Sequence, residues 1–235
     1  IPDLSFFDMG NTVIQPDLEA THSVHQSVVY DILSDDKLLI VLGGGNDISY
    51  PDCSAVSDLA QGDLLVFNID AHFDVRIADE RNSGTPYRQL IEEKLIPPHH
   101  FHEVGYQPFA NSPTYLDYLL EKGVHTHSLA GVHDIGLDQL LRRILSESTP
   151  NAIFWGLDMD VVRSADAPGV SAPNPTGLTG EEFCLIGSIA GGDKRTRLFE
   201  ISEMNPTYDV DGRTAKLAAV TIWHFLQAHT HHIRK

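Results

Sequence analysis

Short apolar runs alternate with stretches of helical periodicity along the chain. Near-continuous hydrophobicity is typical of strands that are covered on both faces of a sheet. Such runs predict strands at about residues 5 to 8, 38 to 43, 64 to 70, 123 to 128, 152 to 158 and 197 to 202. Helices are predicted at about residues 19 to 33, 86 to 94, 114 to 122, 134 to 147, 179 to 190 and 211 to 228. The alternation indicates an α/β fold with a mostly parallel sheet and helices on both sides.

Length and charge narrow the class of protein. The 235 residues fit a single domain, residues 1 to 235, that can bury a core without disulfides. Sixteen basic against thirty-three acidic residues give a net charge of -17, which repels phosphate backbones and anionic lipids and excludes nucleic acid as a partner. No apolar run approaches the roughly 18 residues that span a membrane, so we expect a cytoplasmic protein. Cys53 and Cys184 are the only cysteines and are predicted to be buried thiols.

Polar residues with metal-binding chemistry follow four of the predicted strands. They are Asn46 after the strand at 38 to 43, Asp70, His72 and Asp74 after the apolar residues 64 to 69, Asp158 and Asp160 after the apolar residues 152 to 157, and Glu203 after 197 to 202. Ligands bind outside the carboxyl ends of strands in open α/β sheets, so we expect these side chains to converge. Aspartates packed together repel one another unless cations relieve the charge. Oxygen ligands with one imidazole favour Mn²⁺ over Zn²⁺.

Single motifs are less specific than the set. A D-x-D such as Asp158 and Asp160 also occurs in glycosyltransferases and in ordinary turns. The sequence "DAHFD" offers three ligands from one strand end, and its alternative reading is a capped turn with a surface histidine. Three further histidines beside Pro97 and Pro98 are predicted to lie in a surface turn, namely His99, His100 and His102.

Larger blocks carry a resemblance to a known family. "NIDAHFDVR", "GLDMDVVRSADAPGVSAPNPTGLT" and "SEMNPTYDVDGRTAKLAA" resemble the signature blocks of the ureohydrolase superfamily, which contains arginase, agmatinase and formimidoylglutamase. "GGGND", "DAHFDVR", "SGTPYRQ" and "PGVSAP" are most similar to the formimidoylglutamase branch. The resemblance runs from about residue 5 to about residue 225 and implies the arginase-like fold, a three-layer α-β-α sandwich. It also implies that the usual N-terminal segment of the domain is absent from this sequence.

The resemblance implies a binuclear manganese site that delivers a hydroxide to an amidine or guanidine carbon. Asp70 and Asp158 would bridge the two ions, while Asp74 would bind the first ion. His72 and Asp160 would bind the second ion. The family has a histidine ligand to the first ion directly after the glycine turn, and this sequence has Asn46 there. A carboxamide oxygen is a poorer donor to Mn²⁺ than imidazole, so we expect one dominant ion at the second position and a weak first position.

The implied reaction is the hydrolysis of N-formimidoyl-L-glutamate to L-glutamate and formamide, a step of histidine degradation. Asp74 is the candidate proton shuttle to the leaving amine. Glu203 matches the family's glutamate that pairs with the cationic amidine, although a buried cap or core ion pair is the alternative reading.

Recognition of a glutamyl substrate requires cations. Arg76 and Arg88 are the nearest candidates, although Arg88 also fits an ordinary helix surface. Asn111 and Arg163 are weaker candidates for the rim of the pocket. Two other functions stay open: a catalytically impaired arginase-fold protein that binds a metal or small molecule, and a ureohydrolase for another guanidino or amidino acid. The sequence also leaves a homo-oligomer open.

Overall fold

The computed structural model of the protein describes residues 4–233, and six strands in this range form one parallel sheet. The strands are β1 (Leu39–Leu42), β2 (Leu64–Ile69), β3 (Phe101–Tyr106), β4 (His125–Ser128), β5 (Ala152–Asp158) and β6 (Thr196–Ser202). Their spatial order is β1-β6-β5-β2-β3-β4. Each neighbouring pair is parallel, so all the carboxyl ends lie along one edge.

Eight helices connect and flank the strands in the described range. They are α1 (Leu18–Ser34), α2 (Ser49–Ala60), α3 (Pro86–Glu92), α4 (Pro113–Lys122), α5 (Leu129–Ile135), α6 (Leu137–Glu147), α7 (Gly180–Gly191) and α8 (Arg213–Ile233). Side-chain caps fix several of their starts. Asp17 accepts the backbone N–H of Ala20 at the start of α1, and Thr179 and Glu182 form a capping box at the start of α7.

Two hydrophobic clusters lie on opposite faces of the sheet. Successive residues of β2 divide between them, with Leu65 and Phe67 in one cluster and Leu64 and Val66 in the other. The first cluster includes buried residues of α5 to α8, and the second includes residues of α1 to α4. The fold therefore has three α-β-α layers, and β2 and β5 are buried along their whole length, as near-continuous apolar strands require.

Several predicted elements need correction. Residues 5 to 8 form no strand, and Phe6 and Phe7 are exposed. The predicted helix at 134 to 147 is interrupted at Gly136, whose φ of 89° ends α5 and precedes α6. Both α2 and β3 went unpredicted. His102 lies within β3 and is buried, so the predicted surface turn contains only His99 and His100.

Two composition-based predictions can be compared with the described residues. Cys53 and Cys184 are buried and free, which confirms the prediction for both thiols. Within residues 4–233, every helix falls short of the length and apolar character that a membrane crossing demands.

Candidate metal centre

The sheet order brings four loops with polar side chains together. Because β1, β6, β5 and β2 are neighbours in that order, the residues after their carboxyl ends share one stretch of the sheet edge. Asn46 and Glu203 follow β1 and β6, and the aspartate motifs follow β5 and β2. Convergence of these loops therefore follows from topology, as the sequence pattern predicted.

One candidate ion position is formed by Asp70, His72 and Asp160. One ligand atom of each residue lies within 4.8 Å of the others. His72 Nδ1 is 2.9 Å from Asp160 Oδ2 and 3.4 Å from Asp70 Oδ1. These are the residues predicted for the second ion, together with one of the two predicted bridging aspartates.

A second candidate position is formed by Asp70, Asp74 and Asp158, whose ligand atoms also lie within 4.8 Å of one another. Asp70 belongs to both positions and Asp158 to this one alone. Two adjacent positions that share a carboxylate are the arrangement of two-metal hydrolytic sites.

Backbone hydrogen bonds orient the aspartates. Asp70 Oδ1 accepts the N–H of His72 at 2.6 Å, and Asp158 Oδ1 accepts the N–H of Asp160 at 2.7 Å. Each D-x-H or D-x-D pair therefore forms a tight turn. His72 and Asp160 belong to one candidate ion position, Asp158 belongs to the other, and Asp70 belongs to both. Asp74 has a φ of 46°, an uncommon backbone conformation for a non-glycine residue that is often found at functional sites.

Asn111 holds the loop after β2 through hydrogen bonds to the backbone. Its Oδ1 accepts the backbone N–H of Phe73 at 2.9 Å, and its Nδ2 donates to the carbonyls of Ala71 and Gln107 at 2.8 and 2.9 Å. The amide of Asn111 is thus taken up by the backbone on both sides of His72. The pocket-rim role of Asn111 stays a prediction.

Crowding of carboxylates shapes the electrostatics of the centre. Burial and the charge of Asp70 raise the pKa of Asp74 well above its usual range, and burial with the charges of Asp160 and Asp70 does the same for Asp158. Burial and the charge of Asp70 raise the pKa of Asp160 to about 7. These shifts express the repulsion that divalent cations would relieve.

His72 responds in the opposite sense to burial. Burial lowers its pKa, but hydrogen bonds and charges from Asp160 and Asp70 outweigh this effect and raise the pKa of His72 to about 11. A protonated His72 therefore supplies positive charge among these aspartates when no metal does.

The donor set fits Mn²⁺. Asp160 Oδ1 is buried and has no hydrogen-bond partner among the described residues, which leaves a lone pair for a cation. Carboxylate oxygens with one imidazole nitrogen match the preference of Mn²⁺. Asp70, His72, Asp74, Asp158 and Asp160 would hold the ions.

Asn46 adjoins the position formed by Asp70, Asp74 and Asp158. Its Nδ2 donates to Asp74 Oδ2 at 2.8 Å and to Asp70 Oδ2 at 3.4 Å. Its Oδ1 accepts the hydroxyls of Ser49 and Ser202 at 3.0 and 2.8 Å. Asn46 therefore lies where a ligand to the first ion is expected, with its donor rather than its acceptor toward the carboxylates.

Glu203 lies at the edge of this centre. Its Oε1 accepts the backbone N–H of Asn46 at 2.8 Å, and its Oε2 accepts the hydroxyl of Ser171 at 2.9 Å. Its φ of 63° is, like that of Asp74, in the left-handed region. Within the described residues no cation pairs with Glu203, so the alternative of a core ion pair lacks a partner.

The three candidate arginines differ in position. Arg76 is exposed and packs across Gly84, where an added Cβ would lie 2.6 Å from its Cδ and Nε. A Cβ added at Gly45, beside Asn46, would lie 3.5 Å from Ser83 Cβ and 3.4 Å from Glu203 Oε1, so the loop that holds Arg76 borders the centre.

Arg88 and Arg163 have other partners. Arg88 Nε donates to the carbonyl of Val75 at 2.6 Å, and its guanidinium carbon lies 3.7 Å from the centre of the Tyr118 ring. Arg163 Nε donates to Asp166 at 2.8 Å on an exposed surface. Neither guanidinium contacts the aspartates of the centre in the described structure.

Several supporting residues were not predicted. Ser49 and Ser202 hold Asn46, and Asn68 donates to Asp70 Oδ2 at 3.3 Å and to the buried Glu103 at 3.0 Å. Burial and the charge of Asp70 raise the pKa of Glu103 well above its usual range. Adjacency of Ser202 to Glu203 is the one sequence signal that pointed to any of them.

A second group of histidines lies at the β3–β4 edge of the sheet. His102 Nδ1 is 3.3 Å from His127 Nε2, and His125 stacks on His102 at 4.6 Å between ring centres. No third ligand atom joins this pair closely enough to hold an ion in the described residues. These histidine rings therefore pack against one another, and they do not form a three-ligand metal site in the described residues.

Comparison with known proteins identifies the family. Residues 1–227 match the arginase family. The chain belongs to the arginase family. Formimidoylglutamase from Bacillus subtilis is 31% identical over 228 residues, which are 94% of this chain and 71% of the relative. Formimidoylglutamase from Halobacterium salinarum is 33% identical over 226 residues, covering 93% of this chain and 72% of the relative.

A solved structure extends the likeness to the fold and the metal. Formiminoglutamase from Trypanosoma cruzi, whose crystal structure is described as containing Mn²⁺, superposes with a TM-score of 0.87 at 31% identity. The superposition covers 92% of this chain and 73% of that one. This arginase-family protein is therefore a metal-dependent hydrolase acting on C–N bonds, and its fold is the arginase fold that the sequence blocks predicted.

Proposed function

We propose that this arginase-family protein hydrolyses N-formimidoyl-L-glutamate to L-glutamate and formamide with Mn²⁺. The observation that carries the proposal is the sharing of Asp70 between two adjacent metal-competent groups, Asp70, His72 and Asp160 on one side and Asp70, Asp74 and Asp158 on the other. The curated relatives named above are formimidoylglutamases, which supports an amidine rather than a guanidine substrate.

Asp74 and Glu203 have different proposed roles in the reaction. Bound manganese supplies a hydroxide nucleophile near neutral pH. Asp74 is buried within this centre, and its raised pKa suits a carboxyl that takes up a proton and passes it to the leaving amine. Glu203 offers its carboxylate at the edge of the centre and would pair with the cationic amidine nitrogens.

An acidic substrate needs a cation at the mouth of the site. Arg76 is exposed on a loop that borders Gly45 and Glu203, which supports our assignment of Arg76 as the partner of a substrate carboxylate. The partners of Arg88 and Arg163 lie elsewhere, and we do not include these two residues, or Asn111, in the proposed substrate contacts.

The first ion position is proposed to be the weaker one. Asn46 presents N–H groups to Asp74 and Asp70, and its oxygen is engaged by two hydroxyls. An ion at this position therefore has to disturb existing hydrogen bonds. Disturbing even outer partners of a metal site costs about 10 to 100-fold in affinity, so we expect the His72 position to fill at lower Mn²⁺ concentration.

Product analysis tests the reaction. The purified protein, supplied with Mn²⁺ under reducing conditions, is given N-formimidoyl-L-glutamate, arginine or agmatine, and formamide and urea are measured. We expect formamide from the first compound and no urea from the other two. Asp158→Asn is the matched control for contaminating hydrolases, because it keeps the shape of the side chain while replacing a charged carboxylate ligand with a weaker, neutral carboxamide. Urea release, or equal formamide release by Asp158→Asn, contradicts the proposal.

Asn46 also supports a second candidate function. A chain whose first position is filled by a hydrogen-bond donor could bind one metal ion or a small molecule without efficient turnover. Binding of N-formimidoyl-L-glutamate in the presence of Mn²⁺ with no formamide would favour that function. Urea from another guanidino acid would favour a different hydrolase of the family.

A further inference from the structure

The carboxamide of Asn46 is fixed at both ends. Its Nδ2 donates to Asp74 and Asp70, and its Oδ1 accepts from Ser49 and Ser202. Asn46, Ser49 and Ser202 are each fully buried. Bulk water therefore does not reach these groups, and the protein partners set the orientation of the amide.

This orientation is compatible with a metal-free centre and incompatible with ligation. An amide N–H group has no lone pair to offer a cation, whereas the amide oxygen has two. The N–H groups stabilise the neighbouring carboxylates in the way a cation would, but more weakly. Ligation by Asn46 requires a half-turn of the carboxamide that exchanges its oxygen and nitrogen.

Two serine hydroxyls make such a half-turn feasible. A hydroxyl both donates and accepts, so Ser49 and Ser202 can donate to Oδ1 in one orientation and accept from Nδ2 in the other. Ser49 Oγ also lies 2.6 Å from Glu200 Oε1. After the half-turn its single hydrogen is free for Glu200, and every amide hydrogen that faces the serines still has an acceptor.

We propose that Ser49 and Ser202 are positioning residues that let Asn46 switch between a donor orientation in the metal-free protein and a ligand orientation at the first ion position. Without ion, the Asn46 N–H groups hold Asp74 and Asp70 together. With ion, the two hydroxyls accept the amide hydrogens while Oδ1 faces the metal.

Loss of the two serine hydroxyls should destabilise mainly the manganese-bound state. In the metal-free orientation the amide hydrogens are satisfied by carboxylates, and only the oxygen loses partners. In the ligand orientation the buried amide hydrogens lose both acceptors, and orphaned buried N–H groups are rarer in proteins than under-satisfied carbonyls. The inference rests on the first ion position of the proposed function, but it makes no use of the substrate.

Manganese titration tests the switch without any turnover assay. Free Mn²⁺ is measured by electron paramagnetic resonance for the unaltered protein and for Ser49→Ala/Ser202→Ala, and the spin-coupled signal of the ion pair reports the first position. We expect the dissociation constant of the first ion to rise about ten-fold or more, and that of the ion at His72 to change less than about two-fold. Ser54→Ala, which removes a buried hydroxyl on the same helix that donates to the Tyr50 carbonyl, should change neither constant.

Threonine substitutions distinguish a positioning role of the two hydroxyls from a packing role of the side chains. Ser49→Thr and Ser202→Thr keep a hydroxyl and should restore the affinity of the first ion, and Ser202→Ala alone serves if the double variant fails to fold. Unchanged affinity for the first ion in the alanine variants overturns the proposal, as does an equal loss at both positions. If the protein releases no formamide but the manganese titration gives the expected constants, the proposed function is contradicted and the switch is supported.

Discussion

His72 Nδ1 lies 2.9 Å from Asp160 Oδ2, which joins the loop after β2 to the loop after β5. The same nitrogen is the atom that a metal ion would take. A proton and a metal ion therefore compete for one lone pair of His72. Either of them supplies positive charge among the aspartates.

Manganese affinity at the His72 position should rise steeply with pH. The pKa of His72 is raised to about 11 and that of Asp160 to about 7, so both groups must lose protons to bind an ion below about pH 7. Each displaced proton contributes about a ten-fold gain in affinity per pH unit. Calorimetric titration with Mn²⁺ between about pH 6 and pH 8 measures this slope, and a pH-independent dissociation constant would contradict it.

Metal-free protein should lose stability as pH rises, and Asp158→Asn should recover part of the loss. Asp160 keeps its proton in the folded state up to about pH 7, whereas an unfolded aspartate loses it near its usual pKa of about 4. The folded state thus binds more protons, so its stability falls as pH rises from about 4 through 7.

The pKa of Asp158 is raised in the same direction by burial and neighbouring aspartates, so removing its charge relieves repulsion. Thermal unfolding of metal-free protein at about pH 5 and pH 8 provides the test. A gain of about 1 kcal/mol for Asp158→Asn at the higher pH corresponds to a melting temperature about 2–4 °C higher. A lower melting temperature for Asp158→Asn at that pH would contradict the repulsion account.

Glu203→Gln should impair the reaction while leaving the metal in place. The carboxylate of Glu203 accepts hydrogen bonds from Asn46 N and Ser171, and a glutamine keeps the shape of the side chain without its charge. A hydrogen bond to a charged group contributes about 1.5–3 kcal/mol, so kcat/KM for the amidine should fall about 10 to 100-fold. Unaltered kcat/KM at unaltered manganese content would remove Glu203 from the substrate site.

Arg76→Ala should raise KM for an acidic substrate by about ten-fold or more, as expected for the loss of a charge-assisted hydrogen bond. Arg88→Ala is the matched control, since Arg88 is bound to the Val75 carbonyl and the Tyr118 ring. It should lower the free energy of unfolding by about 1 kcal/mol and leave KM unchanged. A raised KM for Arg88→Ala with an unchanged KM for Arg76→Ala would instead assign the substrate carboxylate to Arg88.

Sequence patterns predicted the buried centre of the sheet because apolar runs such as β2 and β5 are covered on both faces. β3 escaped prediction because His102 and Glu103 interrupt its apolar pattern. The structure buries both, with Glu103 bonded to Asn68 and His102 stacked on Phe67. Tertiary partners outside the segment thus decided its conformation.

Two other errors have similar physical causes. The helix α2 is buried along most of its length, so it lacks the one-sided apolar periodicity by which surface helices are recognised. Residues 5 to 8 are apolar, but a strand needs a neighbour for its backbone hydrogen bonds, and none pairs with this segment in the described range.

The candidate ligands were predictable from strand ends and two-residue spacing, which act locally. The serine hydroxyls that hold Asn46 were not predictable in this way. Ser202 reaches Asn46 only because β6 lies beside β1, although the two residues are far apart in sequence. The same pairing brings the backbone of Asn46 to Glu203.

Stepwise manganese titration of the unaltered protein and of Asn46→His measures the affinities of the two ion positions. We expect one tightly bound ion in the unaltered protein and a second that binds about 10 to 100-fold more weakly, and we expect the imidazole of Asn46→His to reduce this difference in affinity. Two ions bound with equal affinity by the unaltered protein, or none bound by either protein, would contradict this expectation.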